Sequence, residues 1–218
     1  MSRLTLEEYI PLAYRTASAR PEVKDLLPES IPDQMHAMTG ILTEVGELLD
    51  AWKRYIWYGS KIDFVNLEEE IGDMCWYWAL YMSSVLETCS EDVIQNIMFL
   101  VTQELKHAKL KPAGEKEQTL PQLSQYAYYS LVHVVSNMAS TQAQWDVLLA
   151  EDEDVLYAAE LVADPLTFII HLASIHGFDF EVVLYKNIEK LKARFPDKFT
   201  EEAALNRDLV KERKILEG

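Results

Sequence analysis

The sequence predicts an all-α protein, a helical bundle built from antiparallel helix pairs. Its 218 residues include only 7 glycines and 8 prolines, too few for the frequent turns of an all-β protein. The long segments between them are rich in Leu, Ala, Glu, Lys and Met, which favour helices. The hydrophobic fraction of 49% is enough for a large buried core. We therefore expect one all-α domain over 1–218.

Apolar residues recur at helical spacing through the first half of the chain. A short helix is expected over 4–17. Asp33 is a suitable N-cap for a long helix that ends at the turn residues 58–60. Asn66 is a suitable cap for the next helix, whose apolar residues continue to Val85. These two long helices are expected to pack antiparallel to each other.

The same spacing continues beyond this helix pair. Further helices are predicted at 91–109, 123–138, 155–175 and 179–194. Proline, glycine and alternating charges mark 111–120 as a surface linker. The charged tail 200–218 is expected to lie on an outer surface as a loop and a short helix.

Two pairs of carboxylates stand out in the first long helix pair. Three-residue spacing places Glu44 and Glu47 on one face of the first helix, and Glu70 and Asp73 on one face of the second. An antiparallel return lets the two pairs face each other. Both pairs interrupt apolar stretches, and burying four unpaired carboxylates is costly without a cation. Such oxygen ligands suit Mg²⁺, with Mn²⁺ as the alternative ion. The competing interpretation is a pair of solvated acidic helix faces.

A glycine lies inside each of these carboxylate pairs, at Gly46 and Gly72. Glycine in a helix interior costs about 1 kcal/mol relative to alanine. We therefore expect close backbone approach, or space for a ligand, at both positions.

The charge balance restricts the partners. With 20 Lys and Arg against 36 Asp and Glu, the formal net charge is −16, which repels a nucleic acid polymer. A phosphate site in this field requires divalent cations to reverse the local charge. The N-terminus lacks a signal pattern, and no membrane span is expected. We therefore expect a cytoplasmic protein without nucleic acid or membrane partners.

The carboxylate motifs carry a family resemblance. Segments 41–55 and 66–81 resemble the MazG-like all-α nucleoside triphosphate pyrophosphohydrolases, whose hallmark is Glu-x-x-Glu, a spacer, then Glu-x-x-Asp. Segment 184–213 is similar to the C-terminal portion of shorter MazG-like proteins, many of them from phages and bacteria. Relative to that pattern, 87–159 is an insertion.

The resemblance implies a reaction and a set of ligands. Glu44, Glu47, Glu70 and Asp73 would bind Mg²⁺ and form the catalytic centre. The substrate would be a nucleoside triphosphate, cleaved between its α- and β-phosphates to the monophosphate and pyrophosphate. A carboxylate such as Glu47 would act as the base that activates water, although the identity of this base stays open. The role would be control of the nucleotide pool, with dUTP, dCTP or dGTP as leading substrates and an alarmone or a modified nucleotide as alternatives.

Six further residues are candidates for substrate binding. They are Asn187, Lys190, Arg194, Lys53, Tyr77 and His36. The first three match the family pattern Asn-x-x-Lys-x-x-x-Arg, which is similar to a clamp on phosphate and sugar; the alternative is a solvated helix face. Lys53 otherwise complements a helix dipole. The two ring side chains would stack on a base or lie at its edge, with core packing as the simpler interpretation.

The second half of the chain is similar in element order to the first. This suggests catalytic helices in 1–110 and a degenerate second repeat plus tail in 121–218, although helical hairpins also resemble each other for packing reasons alone. In this half Glu160 and Asp164 would be the counterparts of Glu70 and Asp73, but they are four residues apart instead of three. One catalytic site per chain is therefore expected, in a homodimer by family resemblance.

Two other functions compete with this one. A di-iron carboxylate bundle requires Glu-x-x-His on two helices, and the sequence offers this spacing at Glu104 and His107. A catalytically inactive, acidic helical interaction protein would keep the bundle but lose ligands, whereas all four carboxylates are present here. Both alternatives are less favoured than the pyrophosphohydrolase.

Overall fold

The computed structural model describes residues 2–17, 31–110, 122, 125, 128–129, 131–134, 136 and 155–218. In these ranges all regular secondary structure is helical, which confirms the all-α fold class. The helices are α1 (Leu6–Tyr14), α2 (Ile31–Tyr58), α3 (Phe64–Thr88), α4 (Glu91–Leu110), α5 (Val155–Ile175), α6 (Phe180–Arg194), α7 (Glu201–Leu205) and α8 (Leu209–Glu217).

Helices α2 and α3 form the predicted antiparallel pair. Near the open end, the Gln34 side chain on α2 donates a hydrogen bond to Ser84 Oγ on α3 at 3.1 Å. At the other end, Gly59 has a φ of 69°, in the left-handed region where a Cβ is unfavourable. This glycine allows the tight turn between the two helices.

The starts of both helices differ from the predicted caps. Helix α2 already begins at Ile31, so Asp33 lies in its first turn. Helix α3 is capped by Asp63, whose carboxylate accepts hydrogen bonds from the backbone N–H groups of Val65 at 3.1 Å and Asn66 at 3.2 Å. Asn66 is therefore inside the helix, because Asp63 binds the free N–H groups one turn earlier.

Helix α3 lies at the centre of the bundle. It contacts α1, α2, α5, α6 and α8. Trp78, fully buried, links it to α5 by donating a hydrogen bond from Nε1 to the Val162 carbonyl at 2.9 Å. This bond helps to hold α3 in place, so that its other residues lie between α2 and α6. The acidic motifs lie in that region.

Helices α4 and α5 pack extensively against each other. Their bounds agree with the predicted 91–109 and 155–175 within one residue. The predicted linker 111–120 lies outside the described residues. Within the predicted helix 123–138, the described positions are helical. The proposed duplication stays a prediction.

Helix α5 is long and apolar enough to cross a membrane by length and composition, which the sequence-based expectation did not include. Its buried residues include Val162, Leu166 and Ile170. A core helix meets the same length and composition criterion, and α5 packs on α3 and α4. We describe it as a core helix of the bundle.

The C-terminal tail forms more structure than predicted. Thr200 caps α7 and Asp208 caps α8, each by accepting a backbone N–H with its side chain. Helix α8 then packs against α6 and also contacts α3. The tail is therefore part of the wall around the centre of the bundle, and its side chains reach the candidate site.

Candidate functional site

Three of the four predicted carboxylates meet at the α2–α3 interface. One carboxylate oxygen from each of Glu44, Glu47 and Glu70 lies within 4.8 Å of the others. Glu70 is only 6% exposed. The spacing of the two acidic motifs along their helices thus produces the expected convergence for these three side chains. Such a group of oxygen ligands is able to hold a hard divalent cation.

Burial and crowding perturb this carboxylate group. Burial, followed by repulsion from Asp73 and Glu47, raises the pKa of Glu44 to about 7. Burial, a hydrogen bond with Glu44 and nearby negative charge raise the pKa of Glu70 to about 9. Two neighbouring carboxyls with raised pKa values favour sharing a proton. The same environment favours a cation, which removes the repulsion.

Asp73 lies one turn after Glu70 and has different partners. Both of its oxygens are 2.6 Å from Lys190 Nζ, and Oδ1 also accepts a hydrogen bond from Asn187 at 2.8 Å. Lys190 has no exposed surface and also contacts Glu69 at 3.1 Å. Asp73 therefore borders the carboxylate group while its charge is neutralised by an ammonium of the chain itself.

Close packing against Asn187 explains why the second acidic motif contains a glycine. A Cβ built at Gly72 would lie 3.1 Å from the Asn187 Cβ. Asn187 is held there because Tyr9 donates a hydrogen bond to its Oδ1 at 2.7 Å. The expected close approach is confirmed at Gly72. At Gly46 nothing lies within 4 Å of a Cβ built there, so close approach is absent and the other expectation, space for a ligand, stays a prediction.

The three Glu side chains and Asp73 lie at one end of a cavity of about 520 Å³. Its other charged lining residues include Glu69, Arg194, Arg207, Glu212 and Arg213. Its ring-bearing lining residues are His36, Trp76, Tyr77, Phe195 and Phe199. The cavity thus combines an acidic end, an arginine wall and an aromatic wall.

The arginine wall is organised by the C-terminal tail. Arg194 on α6 donates to both oxygens of Glu212 on α8, from Nε at 2.9 Å and from Nη2 at 2.5 Å. Arg207 donates to Glu212 Oε2 at 2.9 Å. Arg213 forms a two-pronged pair with Asp63, at 2.7 and 3.0 Å. Only Arg194 of these residues was predicted, although the family-like segment 184–213 ends at Arg213 and was the one signal that pointed to the tail.

The aromatic wall comes from α2 and α3. The His36 ring lies edge-on to Trp76 and Tyr77, with centroid distances of 5.8 and 5.6 Å. Trp76 is held in place because its Nε1 donates to the Ala13 carbonyl at 3.0 Å. Burial lowers the pKa of His36, which favours the neutral ring. The structure thus places both predicted ring residues, His36 and Tyr77, on the cavity wall.

Tyr77 also depends on a glycine that the sequence did not single out. A Cβ at Gly40 would overlap the Tyr77 ring. The contact joins two helices, so helical spacing in either one gives no sign of it. Gly40 therefore provides the space for the aromatic wall.

The remaining predicted residues have other positions. Asn187 and Lys190 are buried behind Asp73 and are not among the residues that line the cavity. Lys53 is also absent from the lining; its ammonium pairs with Asp50, as does Arg54 at 2.5 Å. The structure therefore brings Arg194, but not the other two residues of the predicted clamp or Lys53, to the cavity.

Comparison of the chain with protein-family models, with curated proteins and with solved structures finds no match. The resemblance to MazG-like pyrophosphohydrolases therefore rests on the motifs in the sequence.

Proposed function

We propose that the chain is a Mg²⁺-dependent nucleoside triphosphate pyrophosphohydrolase. It would hydrolyse a ribo- or deoxyribonucleoside triphosphate to the monophosphate and pyrophosphate. The supporting observation is the convergence of Glu44, Glu47 and Glu70 at one end of a cavity that also contains arginines and aromatic rings. The carboxylates suit a metal ion, the arginines suit the triphosphate, and the aromatic rings suit the nucleobase.

The donor set fits a hard cation. Three carboxylate oxygens within 4.8 Å match the preference of Mg²⁺ for oxygen ligands that leave room for water and phosphate. Burial and the neighbouring carboxylates raise the pKa values of Glu44 and Glu70, and a bound cation would relieve this repulsion. When bound, Mg²⁺ would neutralise phosphate charge and make a bound water more acidic. Mn²⁺ is the alternative ion.

The side chains around this group have distinct proposed tasks. Arg194 and Arg207 would contact phosphate oxygens, for which the guanidinium geometry is well suited. Glu47, exposed in the cavity, would accept a proton from the attacking water. Lys190 would hold Asp73 at the edge of the site through its two 2.6 Å contacts.

The aromatic wall would receive the base. The rings of His36, Trp76 and Tyr77 form mutual edge contacts, which fix a rigid apolar surface suited to stacking or edge contact. A cavity of about 520 Å³ is in the size range of small-molecule sites. A homodimer in the cytoplasm that controls the nucleotide pool is the wider setting that the family resemblance suggests.

The competing functions fit these observations less well. In the described part of the chain, the candidate metal group consists of glutamates, and neither Glu104 nor the exposed His107 belongs to it. This disfavours a di-iron site. An inactive interaction protein has no need to keep buried carboxylates with raised pKa values together, because the arrangement is costly without a ligand.

A product assay tests the proposal. Purified protein is incubated with Mg²⁺ and a panel of nucleoside triphosphates, beside Glu47→Gln and Glu70→Gln. We expect monophosphate and pyrophosphate, with rates reduced by roughly a hundredfold or more in both variants and no turnover in EDTA. Glu189→Gln is the matched control, because Glu189 pairs with Lys192 on the outside of α6. Absence of turnover together with absence of Mg²⁺ binding would overturn the proposal, and release of phosphate instead of pyrophosphate would change the reaction.

A further inference from the structure

Glu212 is a buried carboxylate on the cavity wall. It is only 3% exposed, yet it lies on the C-terminal helix α8 and belongs to the cavity lining. Burial disfavours its ionised form, but hydrogen bonds from Arg194 and Arg207 hold its pKa below the usual range. A buried, ionised glutamate bonded to two arginines of one cavity requires an explanation.

We infer that Glu212 is a positioning residue that holds Arg194 and Arg207 in place on the cavity wall for the phosphates of the substrate. This inference rests on the proposed function and extends it to a residue outside the predicted motifs. Glu212 itself would not contact the substrate. It would act through the two guanidinium groups that it binds.

The geometry of the two arginines supports this role. Arg194 approaches Glu212 with Nε and Nη2, at 2.9 and 2.5 Å, which fixes the plane of its guanidinium. Its Nη1 donates no hydrogen bond within the described part of the chain. A guanidinium has five N–H donors, so Arg194 keeps donors for a phosphate while its position is fixed by Glu212.

Arg207 depends on Glu212 for a different reason. In the described part of the chain its other carboxylate ion pair is with Glu69 at 3.8 Å, a distance at the limit of an ion pair, and Glu69 already contacts Lys190. The side chain of Arg207 is 39% exposed, so without Glu212 it would turn towards solvent. Glu212 also offsets the repulsion between two like charges, because its Oε2 accepts from both Arg194 and Arg207.

The test measures phosphate binding apart from catalysis. Calorimetry with Mg²⁺ and inorganic pyrophosphate, and KM and kcat for the best nucleotide, are compared for wild type, Glu212→Gln, Arg207→Gln and the double variant. Glu217→Gln is the matched control, because it makes the same change on α8 at an exposed residue, and its partner Arg213 stays bound to both oxygens of Asp63. Melting temperature and Mg²⁺ affinity are measured for every variant.

We expect Glu212→Gln to weaken pyrophosphate binding and raise KM by roughly tenfold, with Mg²⁺ affinity unchanged and kcat less affected. The loss in the double variant is expected to be smaller than the product of the two single losses, because both changes act on Arg207. The Glu217→Gln control is expected to match wild type.

Several outcomes would overturn the inference. Unchanged pyrophosphate affinity in Glu212→Gln excludes a positioning role, and tighter binding shows that Glu212 competes with phosphate for the arginines. If the loss of pyrophosphate affinity in the double variant equals the product of the two single losses, Glu212 and Arg207 act independently. If Glu212→Gln does not fold, unchanged affinity in the more exposed Arg207→Gln still overturns it. A wild-type protein that binds pyrophosphate without hydrolysing nucleotides contradicts the proposed function alone, whereas one that binds neither Mg²⁺ nor pyrophosphate contradicts both.

Discussion

At the scale of single residues, two glycines of α2 differ in what surrounds them. A Cβ at Gly40 would overlap the Tyr77 ring, whereas nothing lies within 4 Å of one at Gly46. The first glycine is required by packing. The second one has no steric requirement, although it stands inside the acidic motif and next to Glu47.

Alanine substitutions at these glycines should therefore have opposite effects on stability. Gly40→Ala is expected to lower the free energy of unfolding by about 1–3 kcal/mol, because the new methyl group displaces the Tyr77 ring. Gly46→Ala is expected to raise it by up to about 1 kcal/mol through helix propensity. Urea denaturation followed by helical circular dichroism measures both. Equal effects of the two substitutions would contradict the packing described for Tyr77.

Whether a site residue could be predicted depended on how far apart in the sequence its contacts are. Glu44, Glu47 and Glu70 were identifiable from spacing, because residues three apart share a helix face. The partners of Asp73 were not, since Lys190 reaches it from a helix more than a hundred positions away. Gly40 and Glu212 were missed for the same reason: their roles exist only after helices have packed.

At the scale of elements, the periodic apolar pattern identified the helices, but their ends depended on local competition. Asp63 and Asn66 are both good capping residues, and only the structure shows that Asp63 accepts the free N–H groups of α3. Asp63 also pairs with Arg213 on α8. The start of α3 is thus linked to the C-terminal tail.

Two substitutions separate these two roles of Asp63. Asp63→Ala is expected to reduce the free energy of unfolding by about 1 kcal/mol through loss of the cap. Asp63→Asn keeps a capping side chain and loses only the ion pair, which is partly exposed, so a much smaller change is expected. Thermal and urea unfolding of both variants measure the difference. Equal destabilisation would show that the ion pair, and not the cap, stabilises this end of α3.

At the scale of the whole molecule, the group formed by Glu44, Glu47 and Glu70 is expected to make stability depend on pH and on the proposed Mg²⁺. Because the pKa of Glu70 is raised to about 9 in the folded protein, the folded chain retains a proton that the unfolded chain releases above pH of about 4.5. The unfolded state binds fewer protons in this window. The metal-free protein therefore loses stability from this source as pH rises from about 5 towards 9.

This pH dependence predicts the behaviour of Glu70→Gln. In EDTA, its stability relative to wild type should increase as pH rises from about 5 to 9, because glutamine cannot ionise. In wild type, Mg²⁺ at about 100 times its dissociation constant should add about 2.7 kcal/mol, with higher affinity at higher pH as protons leave the ligands. Thermal unfolding across pH, with and without Mg²⁺, measures both. The control Glu189→Gln, at a half-buried residue of α6, should follow wild type, and parallel curves for wild type and Glu70→Gln would contradict the raised pKa.

The all-α architecture was predictable as a whole, because long amphipathic segments with few glycines and prolines leave little choice of secondary structure. The position of the tail was not. Its charged residues indicated solvent exposure, whereas Arg194 and Glu212 meet only when α8 docks on α6. A charged residue is expected to be exposed to solvent when the sequence does not reveal its ion-pair partner.

The ammonium of Lys190 between Asp73 and Glu69 has one further consequence. This counter-ion is part of the chain itself. It therefore neutralises part of the negative charge of the acidic centre as soon as α6 docks on α3. Many small domains whose charged metal ligands have no other partner fold only when the metal is bound. Here we expect the bundle to fold without a cation, so that a chelator removes ions from the proposed Mg²⁺ site reversibly while the bundle stays folded.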